Sequence, residues 1–408
     1  MTLVLYRKYR PQTFSEIVGQ EHVVKTLTNA ISNGMVSHAY LFSGPRGSGK
    51  TTIARLLAKA VNCENRKSGE LAETSSHLAP RSALPSSAFE PCNKCNSCLE
   101  IMEGRSLDLI EIDAASHRGI DEIRELRDGI QFIPTKSKYK VFIIDESHQL
   151  TKEASNALLK TLEEPPGHAI FVLATTEIHK MIPTIISRCQ RFDFRKLTIP
   201  EIIKRLEFVC QKERAKVAEA LPHLPPHLKG GSVIEKAALE LIAINAGGSI
   251  RDGESILDQA LTFSGNLNRE LKADDVKEIL GLVDTELVSN FTGFLYQKKT
   301  VEAINLLNEV TERGLDLQEF SKSLINYLRQ VLILHITGAS VTEKDNPIIT
   351  GLTKEEFEKL KIQATAFKEE ELRRIIELFL EAENKMRYSP ILQLPLELAI
   401  IEAVGPKE

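Results

Sequence analysis

A glycine-rich segment, flanked by a strand-like run and a helix-like run, constrains this chain more than any other feature. It reads Gly-Pro-Arg-Gly-Ser-Gly-Lys-Thr over residues 44–51, after the apolar run 39–42 and before the helical run 51–62. Glycine allows backbone turns that strain other residues, so successive N–H groups can point inward at a phosphate. The pattern G-x-x-x-x-G-K-[ST] in this context predicts a phosphate-binding loop that joins a strand to a helix.

Within this loop, two side chains have separate roles. Lys50 supplies a mobile positive charge to the β and γ phosphates of a nucleotide, and the Thr51 hydroxyl is placed to bind Mg²⁺. The candidate cofactor-binding residues of the loop are Gly44, Pro45, Arg46, Gly47, Ser48, Gly49, Lys50, Thr51 and Thr52.

Two carboxylates end a second apolar run, KVFIIDE at residues 140–146. Asp145 can hold Mg²⁺, directly or through water, and Glu146 can orient and deprotonate the water that attacks the γ-phosphate. Acids at a strand end are often merely exposed, but their combination with the loop favours nucleotide hydrolysis. The next strand, FVLATT, ends in Thr175 and Thr176, where a hydroxyl could hold the attacking water.

Two arginines are candidates for contact with the nucleotide. Arg188 follows soon after FVLATT, and its permanent charge could stabilise a transferring phosphoryl group of a neighbouring subunit. The alternative is a surface arginine in a salt bridge. Arg251 lies near a predicted helix start and could reach the nucleotide from a second domain as that domain closes.

Four of the six cysteines form one group. Cys92, Cys95 and Cys98 follow C-x-x-C-x-x-C spacing, and Cys63 lies upstream at the end of the predicted loop helix. Four thiolates suit one tetrahedral Zn²⁺ ion. A similar run occurs in iron–sulfur ferredoxins, so a cluster remains the competing interpretation.

The order of patterns along the 408 residues predicts about three domains. Apolar strands alternate with helical stretches up to residue 196, which is typical of a parallel sheet with helices on both faces. Strand patterns nearly vanish afterwards, and helical periods occupy 234–263, broken at Gly247 and Gly248, with Ser249 placed to cap a new helix. Further helices are predicted at 301–309, 317–336 and 369–386.

Composition excludes some classes of protein. A hydrophobic fraction of 42% with 26% charged residues is typical of a soluble globular protein, and no apolar run is long enough to span a bilayer. The amino terminus lacks the pattern of a secretory signal, so we expect a cytoplasmic protein without a membrane partner. The net charge of −4 requires any DNA contact to be made by a local patch. Residues 116–140 have such a basic bias, although a solvated helix face is an equal alternative.

Two stretches interrupt the patterns and are predicted to be insertions. Residues 64–89 are rich in Ser, Ala, Pro and Glu, and residues 215–232 contain several prolines and glycines that should break the helix begun at 200–213.

In order along the chain, these motifs closely resemble the gamma/tau family of the bacterial DNA polymerase III clamp loader. The resemblance runs over essentially the whole chain. It rests on YRKYRPQTFSEIVGQ, HAYLFSGPRGSGKTT, the four cysteines, LIEIDAASHRGIDEIREL, VFIIDESHQLT, NALLKTLEEPP, LATTEIHKMIPTIISRCQRF, GGSIRDGESILDQ and RYSPILQLPLELAIIE.

The resemblance implies an α/β P-loop NTPase domain of the AAA+ class at 1–196 with an inserted zinc module at 63–98. A helical lid at 197–268 and an all-α collar for oligomerisation at 269–408 would follow. The implied function is that of an ATP-driven motor that loads the sliding clamp onto primed DNA. The implied partners are the delta and delta-prime subunits, other gamma/tau copies, the clamp and primed DNA, and the implied cofactors are ATP, Mg²⁺ and Zn²⁺.

The resemblance also assigns residue roles. Thr176 would be the first sensor, Arg251 the second, Arg188 the finger that acts in trans on a neighbour's ATP, and Arg118 a DNA contact. The adenine side would be lined by Tyr6, Arg7, Arg10, Pro11 and Val18.

Some features depart from the family pattern, and two other classes of function stay open. The spacer after Cys63 is unusually long, and Ser147 follows the acidic pair where hydrophobic residues are usual. A helicase or translocase is one alternative, because DESH at 145–148 resembles a helicase acid box. A non-hydrolysing scaffold is the other, and the intact Lys50 and Glu146 argue against it.

Overall fold

The computed structural model describes residues 4–65, 90–116, 129–220, 234–263, 271–281, 284–338 and 354–405. These fall into two compact units, Met1–Glu270 and Leu271–Glu408. Arg118, nearly all of the predicted insertion at 64–89 and most of the one at 215–232 lie outside the described residues.

Five parallel strands form the sheet of the first unit, among its described residues: β1 (Ala39–Ser43), β2 (Leu109–Asp113), β3 (Lys140–Asp145), β4 (Ala169–Thr175) and β5 (Gln190–Asp193). Their order is β2-β3-β4-β1-β5, so β4 lies between β1 and β3. The predicted parallel sheet is confirmed. Because parallel strands end at the same edge, the residues after β1, β3 and β4 come together there.

Helices cover both faces of this sheet, as parallel sheets require. The helices of this part of the chain are α1 (Leu5–Lys8), α2 (Glu21–Ser32), α3 (Lys50–Asn62), α4 (Asn96–Met102), α5 (Lys152–Glu163) and α6 (Pro183–Ile186). Alternate residues of β1 enter two separate apolar cores: Tyr40 and Phe42 pack with α2 and α3, whereas Leu41 packs with α5. The second core also holds the stacked rings of Phe142 and Phe171, whose centroids are 5.2 Å apart.

Three helices complete the first unit: α7 (Ile199–Ala220), α8 (Lys236–Asn245) and α9 (Ile250–Phe263). The predicted break between the last two is confirmed, because Gly247 and Gly248 have positive φ angles and the Ser249 hydroxyl accepts a hydrogen bond from Asp252 N at 3.2 Å. The prediction that an insertion begins at residue 215 is wrong, because α7 continues to Ala220. Lysine, glutamate and alanine at 215–220 favour helix, and the first residue that opposes it is Pro222.

The secondary-structure elements in the described part of the second unit are helices. The helices are α10 (Ala273–Leu280), α11 (Thr285–Tyr296), α12 (Thr300–Glu312), α13 (Leu317–Thr337), α14 (Lys354–Ala366), α15 (Glu369–Met386) and α16 (Leu394–Val404). Phe291 lies at the centre of their core, edge-on to Phe320 at 5.2 Å and to Phe379 at 6.0 Å between ring centroids. The predicted helices at 301–309, 317–336 and 369–386 are confirmed. Across the described parts of both units, no helix combines the length and apolarity needed to cross a membrane.

Candidate functional site

A cleft opens at the carboxyl ends of the strands. Its walls come from the amino-terminal segment, the loop after β1, the acidic end of β3, and helices α7 and α9. The lining residues are Tyr6, Arg10, Pro11, Glu16, Ile17, Val18, Arg46, Gly47, Ser48, Gly49, Lys50, Thr51, Thr52, Asp145, Glu146, Arg205, Ile250, Arg251 and Glu254.

The loop between β1 and α3 has the backbone that its glycines predict. Gly44, Gly47 and Gly49 all have positive φ angles. A Cβ atom at Gly44 would collide with Phe194, and one at Gly47 would collide with the Ser249 hydroxyl at the start of α9. At Gly49 the space is open. The first two glycines therefore permit close backbone packing, while the third leaves room at the start of α3.

The Lys50 ammonium group is held inside this loop. It is buried and donates hydrogen bonds to Gly44 O at 2.8 Å and Pro45 O at 2.9 Å. Burial lowers the pKa of Lys50, and the carboxylates of Glu146 and Asp145 act in the opposite direction. A buried cation bound to two carbonyl oxygens gains a stronger partner when an anion enters the loop.

The acidic pair is connected to the ends of the neighbouring strands. The Thr51 hydroxyl donates to Asp145 Oδ2 at 2.8 Å. Glu146 has a left-handed backbone with φ of 47°, and its Oε2 accepts a hydrogen bond from the Thr176 hydroxyl at 2.9 Å. Thr176 is not among the residues that line the cleft. The hydrogen bond that its hydroxyl donates to Glu146 is therefore placed to orient the Glu146 carboxylate.

His148 is part of this arrangement, although sequence reasoning did not single it out. Its Nδ1 lies 3.0 Å from the Thr175 hydroxyl and 3.5 Å from Glu146 Oε2. Its Nε2 lies 3.2 Å from Glu177 Oε2. The sequence shows only that a histidine follows the acid at the strand end by two residues. Nothing in the sequence indicated that its side chain would contact Glu146.

The amino-terminal segment forms one end of the cleft. The Arg251 guanidinium lies over the Tyr6 ring at 4.8 Å from its centroid, and Arg7 stacks on the same ring at 5.8 Å without lining the cleft. Burial lowers the pKa of Arg10 to about 10, with a further contribution from the nearby Arg55. This end combines an aromatic ring, a proline and several cations, a combination that suits a base and the phosphates attached to it.

A buried ion pair lines the same wall and was missed by sequence reasoning. Arg205 Nε donates to Glu254 Oε1 at 2.8 Å, and both side chains are at most 4% exposed. Arg205 also donates to the carbonyl oxygen of Tyr9. Burial raises the pKa of Glu254, and its partner Arg205 opposes that shift. The pair joins α7, α9 and the amino-terminal segment, which lie far apart in sequence, so no local pattern could have indicated it.

Arg188 does not reach the cleft of its own chain. Its guanidinium contacts Glu163 on α5 and donates to Thr184 O at 2.8 Å, and it is absent from the cleft lining, as are Gly44 and Pro45. The Arg188 guanidinium is therefore bonded to groups outside the cleft of its own chain.

The four grouped cysteines come together at the end of α3. Their sulfur atoms all lie within 4.8 Å of one another. Zn–S bonds of about 2.3 Å in a tetrahedron place sulfur atoms roughly 3.8 Å apart, so the group fits one zinc ion after small adjustments. Backbone N–H groups of Lys94 and Cys95 donate to Cys92 Sγ at 3.4 and 3.3 Å, which stabilises a thiolate.

The sheet order, the glycine loop and the acidic strand end define a P-loop nucleotide-binding protein. Family sequence models match "DNA polymerase III, delta subunit" at residues 19–198, "DNA polymerase III clamp loader subunit, ATPase lid domain" at 229–266, and "DNA polymerase III subunits gamma and tau domain III" at 271–408. The chain belongs to the DNA polymerase III subunit gamma/tau family, as its relatives also show.

The Buchnera aphidicola (strain Sg) DNA polymerase III subunit gamma is 35% identical, over 98% of this chain and 98% of its own length. The Bacillus subtilis DNA polymerase III subunit tau is 40% identical over 98% of this chain. The chain spans 62% of the length of that tau subunit and 46% of the Escherichia coli one. The Thermotoga maritima RuvB Holliday junction branch migration motor has 18% identity and a TM-score of 0.43, with 86% of this chain and 98% of that one covered. This last likeness is too weak to support a functional argument.

Proposed function

We propose that this chain is an ATP-hydrolysing motor subunit of the bacterial clamp loader. One observation carries the proposal: Thr51 bonds to Asp145 while Thr176 bonds to Glu146, so three parallel strands deliver a joined set of polar groups beside the phosphate loop. Such a set is what phosphoryl transfer from ATP to water requires.

Each group has a defined task in hydrolysis. Lys50 leaves the carbonyl oxygens of its own loop and binds the β and γ phosphates. Thr51 and Asp145 would hold Mg²⁺, which would supply positive charge to neutralise those phosphates. Glu146 accepts the proton of the attacking water, and Thr176 holds its carboxylate in the orientation for that transfer.

The lid helices would report the state of the nucleotide. Arg251 lies at the start of α9, three residues after the glycine pair, and Ser249 packs against Gly47 of the phosphate loop. A shift of the loop on binding ATP would therefore be transmitted directly to α9, and Arg251 would bind phosphate as α9 closes.

Membership of the gamma/tau family supports the proposed partners. In the proposed complex the helical unit at Leu271–Glu408 joins subunits into a collar that includes delta, delta-prime and other copies of this chain. ATP binding would prepare the assembly to open the sliding clamp and hold primed DNA in the cytoplasm, with Arg118 as one DNA contact. Hydrolysis would then release both.

The proposed function is tested by the ATPase rate of the assembled complex with primed DNA and clamp added separately and together. We expect each addition to raise the rate and the combination to raise it most, because clamp and DNA select the conformation in which the site is complete. Strand unwinding by the purified chain would instead support a translocase. A rate that is insensitive to both additions would contradict the clamp loader assignment.

We also propose that the four cysteines bind one structural Zn²⁺. A donor set of four thiols supports a structural zinc site, in which four protein ligands complete the tetrahedron. Metal analysis of the purified chain is expected to find about one zinc per chain.

Cys95→Ser is expected to lose that zinc, because it removes one of the four thiol ligands at a buried position. Cys189→Ser is the matched control and should keep it, since Cys189 packs against a separate apolar core. Iron with labile sulfide in place of zinc would overturn the assignment.

A further inference from the structure

Glu90 joins the cysteine group to the amino-terminal segment of the nucleotide cleft. It lies two residues before Cys92, and its carboxylate accepts two backbone hydrogen bonds, from Phe14 N at 2.6 Å and from Ser15 N at 2.8 Å. Charge-assisted hydrogen bonds of this kind are among the stronger ones in proteins. The contact bridges more than seventy positions of sequence, so it acts between two separate parts of the fold.

The segment that Glu90 binds lines the cleft on both sides of the contact. Arg10 and Pro11 precede it, and Ile17 and Val18 follow it, and all four border the cleft. Between them, the Phe14 ring is buried in the core against α2 and α3. The position of the Phe14–Ser15 backbone therefore determines where both cleft-lining pairs lie.

A second contact ties the same segment to α3. Lys59 is only 2% exposed and donates to Gln12 Oε1 at 2.8 Å and to Gln12 O at 3.3 Å. Lys59 is one turn before Cys63 on the helix that begins at Lys50. Helix α3 therefore begins at the phosphate-binding lysine and ends at the cysteine group. The amino-terminal segment that lines the cleft is attached to the end of α3 next to the cysteines.

The chain that follows Glu90 is connected to the end of α3 through the cysteine group. Cys92 N donates to Cys63 Sγ at 3.4 Å, and the Glu64 carboxylate accepts a hydrogen bond from Ser97 N in α4 at 3.0 Å. These contacts connect the end of α3 to residues 92–98. A metal ion bound to all four sulfur atoms would fix this connection, whereas its removal would leave only a few weak hydrogen bonds.

We propose that the cysteine centre sets the position of the amino-terminal segment that lines the nucleotide cleft, residues 10–18. Glu90 is the positioning residue through which the centre acts. This inference rests on the proposed nucleotide and zinc sites. It requires that metal occupancy and nucleotide affinity be coupled, and linkage makes that coupling reciprocal. Glu90 touches neither ligand and acts only through the backbone of the segment.

The test measures the Kd of a non-hydrolysable ATP analogue for the full chain, with zinc bound and after removal by a chelator. In the unmodified chain, zinc removal is expected to weaken binding by about tenfold, within the usual range of such couplings. Glu90→Ala is expected to be about tenfold weaker with zinc still bound, and zinc removal should then change its affinity little. The matched control is Glu103→Ala, an exposed glutamate after α4 that contacts Arg105, and it should behave as the unmodified chain.

A second readout follows the metal instead of the nucleotide. Saturating ATP analogue is expected to tighten the Kd for zinc, measured by competition with a chromogenic chelator, by about tenfold in the unmodified chain and to have no effect in Glu90→Ala. If Glu90→Ala does not fold, Glu90→Gln replaces it, since an amide has one acceptor oxygen where the carboxylate uses two.

The possible outcomes distinguish failure of this inference from failure of the proposed nucleotide and zinc sites. If zinc and nucleotide both bind but neither affects the other, the inference is overturned while the proposed function stands. If zinc removal abolishes nucleotide binding equally in Glu90→Ala and in the unmodified chain, the centre supports the whole domain and Glu90 has no specific role. If the unmodified chain binds no nucleotide, the proposed function itself fails.

Discussion

Lys50→Ala is expected to lower ATP hydrolysis by a factor of about 10³ or more, and to weaken ATP binding as well. The Lys50 ammonium group is the buried cation of the phosphate loop, and its only partners in hydrogen bonds among the described residues are the two loop carbonyls. Its removal takes away the charge that would face the β and γ phosphates. Steady-state ATPase assays on the assembled complex, with analogue binding to the isolated chain, measure both effects.

Two comparisons make the Lys50→Ala result specific. Lys236→Ala removes an exposed lysine on α8 that is 80% accessible, and it should hydrolyse ATP normally. Glu146→Gln should lose hydrolysis to a similar degree but keep ATP affinity, because the amide cannot accept a proton from water although it preserves the shape of the side chain. Undiminished turnover in Lys50→Ala would rule out this site as the ATPase centre.

The phosphate loop and the acidic strand end could be predicted from the sequence because each is a local pattern. Residues 44–51 contain the turn residues and the lysine in one run, and 140–146 contain the buried strand together with its acids. Parallel strands then bring these runs to one edge without further information. The same holds for the helix cap at Ser249, where two glycines and a hydroxyl are adjacent in sequence.

The contacts that could not be predicted join residues far apart in sequence. Three contacts depend on how separate elements pack. They are the ion pair of Arg205 with Glu254, the approach of His148 to Glu146, and the hydrogen bond that Glu90 accepts from Phe14 N. Arginine and glutamate are common on exposed helix faces, so the two partners of the buried pair gave no sign of burial. The end of α7 was predicted too early for a different reason. The insertion was predicted to begin at residue 215, although its first helix-breaking residue is Pro222.

Arg188→Ala is expected to leave ATP binding by the isolated chain unchanged while it lowers hydrolysis by the assembled complex about 10³-fold. The Arg188 guanidinium is bonded to Glu163 and Thr184 instead of lining its own cleft, so we expect it to act on a neighbour's nucleotide. Its contact with Glu163 is between partly exposed side chains, 32% and 48% accessible. Such pairs contribute only about 0.2–1 kcal/mol, so releasing Arg188 toward a neighbouring chain costs little.

Mixing variants tests whether Arg188 acts in trans. Complexes assembled from Arg188→Ala and Lys50→Ala chains together should hydrolyse ATP faster than either variant alone. In the mixture, a chain with an intact Lys50 receives Arg188 from a neighbour that lacks only its own lysine. Arg191→Ala is the matched control, because Arg191 is an exposed arginine paired with Asp193 two positions further on, and its removal should have no effect. If the mixture is no faster than its components, Arg188 does not complete a neighbour's site, and the motor would not depend on assembly in the way proposed.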